Sequence, residues 1–306
     1  MVAATPALGG AVASARLAER YGAKLVVVVQ NLMAKAAGQS GISGGGTVAG
    51  APGRLEGYAL RRAAQVLVVS EAFRPAVRAY GVDDARIAVL PTGPTSPPPP
   101  TPSPRRGPAL GWPTDRFLVT HTGSMGLKQD LATVIDAAHR LSAGIDVLLI
   151  GDGSQRQALQ ERAAALGNVR FIDPLDDVRY PLALAAADVL LVNERPSTGD
   201  MSLRSKLTSY LSAGRQVLAA VAPDGATAAE LQRTRGAALV VRPGDPDLLA
   251  RSVVELHADP ALRETMGEAG RQCAHARLDR PPRCSASTAS SKPFSPNRSR
   301  HRVGRP

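Results

Sequence analysis

The sequence predicts an α/β protein with two doubly wound parallel sheets joined by a proline-rich segment. Short apolar runs of strand length alternate with helix-compatible stretches along most of the chain. These runs are continuous rather than alternating, which is typical of parallel strands that helices cover on both faces. Residues 91–113 interrupt the pattern with a run of prolines at 97–100. Such a run cannot form a helix or a central strand, and it indicates a connection between two domains.

The first domain is predicted to span residues 1–93, and the connection 94–115. Its strands are expected at 24–30, 65–70 and 86–90. Its helices are expected at 8–21, 55–64 and 72–80, with a glycine-rich loop at 38–53.

The second domain is predicted to span residues 116–278. Its strands are expected at 117–121, 146–150, 169–172, 188–192, 216–220 and 238–241. Its helices are expected at 130–141, 154–166, 181–187, 203–213, 226–233, 246–257 and 260–276. This regular repetition of strand and helix predicts a doubly wound sheet.

The composition fits a globular protein in a reducing compartment. The chain has 306 residues, of which 44% are hydrophobic, and this suits one large or two medium domains. No apolar run approaches the roughly 20 residues that span a bilayer, and no signal peptide is visible. Only two cysteines are present, so no disulfide framework is expected. A cytoplasmic location is therefore the default expectation.

The basic charge belongs largely to a tail at 279–306. The net charge is +11, but six basic residues and no acidic one lie from Pro281 onward. A basic tail does not by itself indicate nucleic-acid binding, so no nucleic-acid partner is expected. The tail is rich in Ser, Pro and Arg and should be disordered. Its abrupt composition also fits a segment outside the reading frame of the parent gene.

The first candidate site is the turn after the strand at 117–121. Ligands of open α/β sheets bind at the carboxyl ends of the strands, and this turn contains Gly123, Gly126 and Lys128. Glycines let a backbone approach a ligand closely, and a lysine near the start of a helix can pair with a phosphate. The turn is therefore a candidate diphosphate site. The alternative is an ordinary tight turn with a solvated lysine.

Two further turns follow the next two strands. The first contains Gly151 and Gly153 and opens the helix that carries Arg156. The second contains Asp173 and Leu175, where backbone groups can read the edge of a nucleobase. The alternatives are a plain strand-to-helix turn for the first and a proline-marked loop without a ligand for the second.

The fourth candidate is the polar segment 193–207, which runs into the next helix. Its candidate ligands are carboxylate, hydroxyl and cationic side chains: Glu194, Asp200, Ser202, Ser205 and Lys206. A serine here can cap the helix, and the cation can pair with phosphate. The alternative is a capped surface helix with solvated charges. The five histidines show no metal-ligand spacing, so no metal site is expected.

Several segments match known motifs in order and spacing. They are 60–71 (LRRAAQVLVVSE), 87–93 (IAVLPTG), 123–129 (GSMGLKQ), 150–153 (IGDG) and 205–217 (SKLTSYLSAGRQV). Together they resemble the family 4 glycosyltransferases, which have the GT-B fold of two Rossmann-like domains. The GSMGLKQ segment is similar to the form found in the colanic-acid and capsule branch. The resemblance covers about residues 5–277.

The resemblance implies a donor site in the second domain. It assigns the donor diphosphate to Gly123, Gly126, Lys128, Ser205, Lys206 and Leu207. It assigns the nucleotide and its ribose to Gly151, Gly153, Arg156, Asp173, Leu175 and Ser209. It assigns the sugar to Glu194, Asp200 and Ser202. Many relatives have a glutamate where Ser209 stands, and that glutamate would hold the donor ribose.

The family's activity follows from the same resemblance. Its members transfer a sugar from a UDP- or GDP-type donor to a glycan or lipid-linked acceptor, usually with retention and without an essential metal. The resemblance therefore implies a transferase of exopolysaccharide or cell-envelope synthesis whose only co-substrate is the nucleotide sugar, with no further cofactor. A lipid-linked acceptor would bring peripheral association with the inner face of the membrane.

Other interpretations stay open. Residues 5–8 resemble a segment well inside the N-terminal domain of relatives, so we expect this domain to be incomplete. That, together with Ser209, supports a truncated, non-catalytic protein that binds nucleotide sugars. A sugar-nucleotide epimerase with the GT-B fold is a third possibility. An NAD-binding enzyme is disfavoured, because no G-x-G-x-x-G lies between an early strand and helix.

Overall fold

The computed structural model describes residues 1–5, 7–32, 47–69, 71–90, 110–113, 115–196 and 206–278. Two parallel sheets with connecting helices make up this part of the chain, which confirms the predicted α/β class. Every strand expected from the sequence is present. The predicted tail at 279–306 and most of the predicted connection lie outside the described residues.

The first sheet has four parallel strands in simple sequential order. They are β1 (Val2–Thr5), β2 (Val26–Val29), β3 (Gln65–Val68) and β4 (Ile87–Val89). The helices that connect them are α1 (Leu8–Arg20), α2 (Thr47–Arg62) and α3 (Arg74–Ala79). β1 was not expected, because four residues with two alanines carry little strand signal.

Helix α2 corrects the expected loop at 38–53. The helix begins at Thr47, so the loop prediction is wrong over residues 47–53, and residues 38–46 lie outside the described part. Pro52 and its neighbouring glycines have low helix propensity, which favours a loop in the sequence. Farther along the helix, Ala59 and Leu60 are buried against the sheet. Tertiary packing of this kind outweighs local propensity.

The first sheet is buried on one face more than on the other. Val27, Val29 and Val66 are fully buried with α1 and α2, whereas Val28 and Leu67 on the opposite face are only partly buried. Sequential strand order with right-handed crossovers sends the connecting helices to one face. The expectation that every strand is buried on both faces is therefore wrong for this sheet.

The second sheet has six parallel strands. They are β5 (Phe117–Thr122), β6 (Ile145–Ile150), β7 (Val169–Ile172), β8 (Val189–Asn193), β9 (Gln216–Ala220) and β10 (Ala238–Val241). Their order in space is β7-β6-β5-β8-β9-β10. The four central strands are buried at every residue, so the expected burial of both faces is confirmed for this sheet.

Helices cover both faces of the second sheet. They are α4 (Leu131–Ala138), α5 (Arg156–Arg162), α6 (Arg179–Ala186), α7 (Lys206–Ser212), α8 (Ala226–Gln232), α9 (Pro246–Ala258) and α10 (Pro260–Leu278). α4, α5 and α9 share one apolar cluster with the sheet, and α6, α7 and α8 share the other. Within the described residues, no helix combines the length and apolar character that crossing a bilayer requires.

Two features lie away from the carboxyl ends of the strands. Leu110 and Trp112 pack against Leu118 and Leu148, so the last part of the predicted connection contacts the second domain. The fully buried Asp146 carboxylate accepts hydrogen bonds from the Arg116 guanidinium, whose Nε lies 2.9 Å away. Burial of this charge is tolerated because an opposite charge pairs with it.

Candidate functional site

The carboxyl ends of β5 and β8 form a crevice where the strand order of the second sheet reverses. The two strands pair only at Val119 with Val189 and at Thr120 with Leu190. α4, which follows β5, packs on one face of the sheet, and α7, which follows β8, packs on the other. Doubly wound sheets bind ligands at such a reversal, because the two chain connections diverge there.

The turn after β5 is shaped by contact between two backbones. Gly151 has a φ of 137°, and a Cβ added to it would overlap the Gly123 carbonyl oxygen. A Cβ on Gly153 would lie 2.7 Å from the backbone of Met125. The Met125 amide also donates to the Asp152 carbonyl oxygen at 2.8 Å. The expected phosphate turn and the expected nucleotide turn are therefore one packed unit, and glycine is required where they touch.

Lys128 lies on a short 3-10 turn just before α4, with an exposed side chain. Its carbonyl oxygen accepts a hydrogen bond from the Arg195 amide at 3.0 Å. The Asn193 side-chain amide donates to the carbonyl oxygens of Gln129 and Asp130, both at 2.9 Å. Three hydrogen bonds therefore tie the turn that carries Lys128 to the end of β8.

Gly126 opens that 3-10 turn. Its carbonyl oxygen accepts the Gln129 amide at 3.1 Å. Its φ of −103° is available to any residue, so its position does not require glycine on conformational grounds. A Cβ at Gly126 would lie 3.2 Å from Oε1 of the Gln129 side chain, which is close.

Lys206 approaches the same strand end from the other face. Its ammonium donates to the Thr122 carbonyl oxygen at 2.8 Å. The two ring nitrogens of His121 lie 3.5 and 3.4 Å from it, and His121 is fully buried. Leu207, which the sequence places near the phosphates, has its side chain in the apolar core instead. Only its backbone can serve the site.

Ser209 is buried within a group of hydroxyls below the crevice. Ser209 hydrogen-bonds with the phenol of Tyr180. The phenol oxygen of Tyr180 also lies 3.3 Å from Oγ1 of Thr122. The Thr122 amide donates to the Tyr210 phenol oxygen at 2.8 Å. Burial raises the pKa of Tyr180 above its usual value. The side chain at position 209 is therefore buried and bonded within the protein.

Apart from Ser209, which lies on α7, the residues assigned to the nucleotide follow the ends of β6 and β7. Arg156 donates to the Gly151 carbonyl oxygen at 2.8 Å and pairs with the Asp173 carboxylate at 2.7 Å. Asp173 is 87% exposed, so the ion pair itself is weak. Leu175 is partly buried against the apolar cluster that contains Ile150 and Ala183. These contacts define a rim beside the glycine turns.

Glu194 is placed beside α8 rather than at the surface. It is buried, and its Oε1 accepts a hydrogen bond from Thr227 at 3.0 Å. The other residues assigned to the sugar, Asp200 and Ser202, lie outside the described residues, as does Ser205. Among the described residues, no group of three or more His, Cys, Asp or Glu side chains is arranged to hold a metal ion.

The sequence analysis assigned no role to four residues of this site: Thr122, Tyr180, Asn193 and Tyr210. Asn193 begins the candidate segment 193–207, and Thr122 directly precedes the candidate turn GSMGLKQ. A signal was available for Asn193, since a polar residue directly after four apolar strand residues stands at the carboxyl end of the strand. No comparable signal marks Tyr180 or Tyr210, because their hydroxyl contacts join residues 58 and 88 positions apart.

Sequence models of two protein families match the chain. Residues 1–93 match a glycosyl transferase 4-like domain, and residues 116–259 match the glycosyl transferases group 1. The first match includes the four-stranded sheet, and the second includes the crevice at β5 and β8.

Curated relatives are similar over part of their length. WcaI of Escherichia coli strain K12 is 31% identical to this chain over 108 residues, and its name describes a glycosyl transferase of colanic acid biosynthesis. A GDP-mannose-dependent monoacylated alpha-(1-6)-phosphatidylinositol monomannoside mannosyltransferase of Corynebacterium glutamicum is 31% identical over 155 residues. These alignments cover 34% and 50% of this chain, but only 26% and 39% of the relatives.

The fold matches that of solved structures. The HepE protein of Anabaena, solved in complex with UDP, superposes with a TM-score of 0.75. The match covers 91% of this chain and 74% of HepE at 19% identity, so it concerns the fold. Each of the two family matches contains one of the two parallel sheets, so the sequence comparison and the fold indicate the same two-domain architecture. The chain therefore belongs to the glycosyltransferases of the GT-B fold, with a 4-like domain followed by a group 1 domain.

Proposed function

We propose that this chain transfers a sugar from a UDP- or GDP-sugar to a glycan or lipid-linked acceptor in cell-envelope polysaccharide synthesis. One observation carries the proposal. Lys128 lies on the turn between β5 and α4, and the Lys206 ammonium at the start of α7 bonds the carbonyl oxygen of Thr122, the last residue of β5. The two lysines therefore belong to segments that pack on opposite faces of the sheet, at the reversal point of the strand order. A diphosphate in the crevice would meet a cation on either side.

The chemistry of the crevice suits a diphosphate. A lysine ammonium pairs with phosphate as a point charge, and glycine backbone at Gly123 lets the ligand approach closely. The hydrogen bond to Thr122 fixes where the Lys206 ammonium lies. During transfer, negative charge develops on the leaving diphosphate, and cations placed in advance stabilise it. The proposal therefore includes transfer without an essential metal, and retention as the family resemblance implies.

Two kinds of donor are candidates. HepE, which shares the fold, was solved with UDP, and the Corynebacterium relative is named as GDP-mannose-dependent. The proposal assigns the base and ribose to the segment around the Arg156–Asp173 ion pair, at the ends of β6 and β7. Both nucleotides therefore need to be tested side by side.

Calorimetric titration of the full chain with UDP and with GDP tests the donor site. We expect one of them to bind, and Lys128→Met or Lys206→Met to weaken that binding at least tenfold, or about 1.4 kcal/mol. Lys24→Met is the matched control, because Lys24 is an exposed lysine of the other domain. Failure of both nucleotides to bind at millimolar concentration would contradict the proposal.

A second candidate is binding of nucleotide sugars without turnover. The observation that favours it is Ser209, which is buried against Tyr180 where many relatives carry a glutamate. Release of UDP or GDP from donor sugars, measured with and without EDTA, separates the two functions. Nucleotide release that survives EDTA supports a metal-independent transferase. Tight binding with no release in either condition supports the second candidate.

A further inference from the structure

Asn193 occupies an unusual position for an amide. It is the last residue of β8 and is fully buried, and the four residues before it are valines and leucines. A buried amide is costly unless its polar atoms are bonded. Its nitrogen donates two hydrogen bonds, but no partner of its oxygen is found among the described residues. An apolar side chain would be less costly to bury at this position, so the stability of the sheet does not explain why an asparagine is present.

Both bonds of this amide go to one short turn. The acceptors are the carbonyl oxygens of Gln129 and Asp130, the two residues that follow Lys128. Arg195, two residues after Asn193, donates its backbone amide to the carbonyl oxygen of Lys128. The end of β8 therefore holds three successive carbonyl groups of the turn.

The turn has a conformation that needs such support. Asp130 has a φ of 45°, in the left-handed region that few non-glycine residues adopt. Conformations of this kind persist where the surroundings determine them, and they cluster at functional sites. One support is the Thr133 hydroxyl, which donates to the Asp130 carboxylate at 2.8 Å. The Asn193 amide supplies the other, from across the crevice.

We propose that Asn193 is a positioning residue for the diphosphate site. It fixes the turn from Gly126 to Asp130 against β8, so that the Lys128 ammonium is held over the crevice before the ligand arrives. Preorganisation of this kind raises affinity, because the ordering cost is met in folding rather than in binding. The effect of Asn193 on a nucleotide thus runs through Lys128, and this part of the inference rests on the function proposed above.

Hydrogen exchange of the full chain without nucleotide tests the contact itself. Asn193→Ala and Asn193→Asp both remove the two donated bonds, and the second keeps the shape of the side chain. We expect amide exchange in residues 123–133 to rise at least tenfold in both variants. Asn168→Ala is the matched control, because the Asn168 amide donates to the Ala138 carbonyl oxygen at the opposite end of α4. Unchanged exchange in residues 123–133 in both Asn193 variants would overturn the proposal.

A double-mutant cycle tests whether Asn193 acts through Lys128. Asn193→Ala should weaken binding of the preferred nucleotide, UDP or GDP, five- to tenfold in the wild-type background. In the Lys128→Met background the same change should alter Kd less than twofold. Equal effects in the two backgrounds would overturn positioning of Lys128. If the wild-type chain binds neither nucleotide, the proposed function and the effect on binding both fail, whereas hydrogen exchange still decides whether Asn193 holds the turn.

Discussion

The Lys206 ammonium donates a 2.8 Å hydrogen bond to the carbonyl oxygen of Thr122, which joins the start of α7 to the end of β5. α7 packs on one face of the sheet, and α4, which follows the turn that carries Lys128, packs on the other. The bond to Thr122 gives Lys206 a structural task, and the function proposed above gives the same cation a second one, which is to pair with an anionic ligand. The two tasks can be separated by measuring stability with and without nucleotide.

Lys206→Met should lower the free energy of unfolding in the absence of nucleotide by about 1 kcal/mol, the usual net value of one hydrogen bond. Because the variant also binds nucleotide more weakly, the difference from wild type should widen when UDP or GDP is added. Urea unfolding at two nucleotide concentrations measures both effects. Lys24→Met should show neither. A difference that stays constant with nucleotide would indicate that Lys206 is only structural.

Tyr210→Phe should destabilise the second domain by about 1–3 kcal/mol. The change removes the phenol oxygen that the buried Thr122 amide binds at 2.8 Å and leaves that amide without its acceptor. Thermal and urea unfolding measure the loss. Tyr58→Phe is the control, because Tyr58 contacts the Arg62 guanidinium through its ring, which phenylalanine keeps. Equal stability of the two variants would contradict the importance of the Thr122 contact.

Tyr80→Phe should cost about 1.5–3 kcal/mol at neutral pH, because the Tyr80 phenol donates to the buried Glu56 carboxylate at 2.9 Å. Burial, followed by the bond to Glu56, raises the pKa of Tyr80 well above its usual range. The unfolded chain therefore loses this proton first, near pH 10, and wild-type stability falls as pH rises beyond that point. Stability curves from pH 7 to 11 should fall less steeply for Tyr80→Phe. Parallel curves would contradict the prediction.

Gly151→Ala should destabilise the protein by roughly 3 kcal/mol or more, since the new Cβ overlaps the Gly123 carbonyl oxygen and φ is unfavourable for alanine. Gly167→Ala is the matched control, because nothing lies within 4 Å of a Cβ there and its φ is not in the left-handed region. The control should be neutral or slightly stabilising. Chemical unfolding of both variants checks the contrast, and similar losses would show that the contact between the two turns is unimportant.

The sequence predicts the second sheet well and its side-chain contacts poorly. The bounds expected for β7, β9 and β10 coincide with those observed, because each short, mainly apolar run is followed within three residues by a proline that interrupts the strand. The rule that ligands bind at strand ends places Lys128 at the crevice. The same reasoning does not reveal that Ser209 faces Tyr180, or that Asn193 binds a turn 63 positions earlier. Such contacts depend on how separate helices and strands pack, which no local pattern encodes.

Under the function proposed above, the backbone contact between Gly123 and Gly151 limits how the nucleotide-sugar donor of this protein could be changed. The two turns interlock through an atom that every residue has, so neither can be redesigned while the other stays fixed. A chimera that takes only the segment after β6 from a relative would inherit a turn shaped for a different neighbour. Exchanges of donor-side loops should therefore transplant residues 123–126 and 151–153 as a pair.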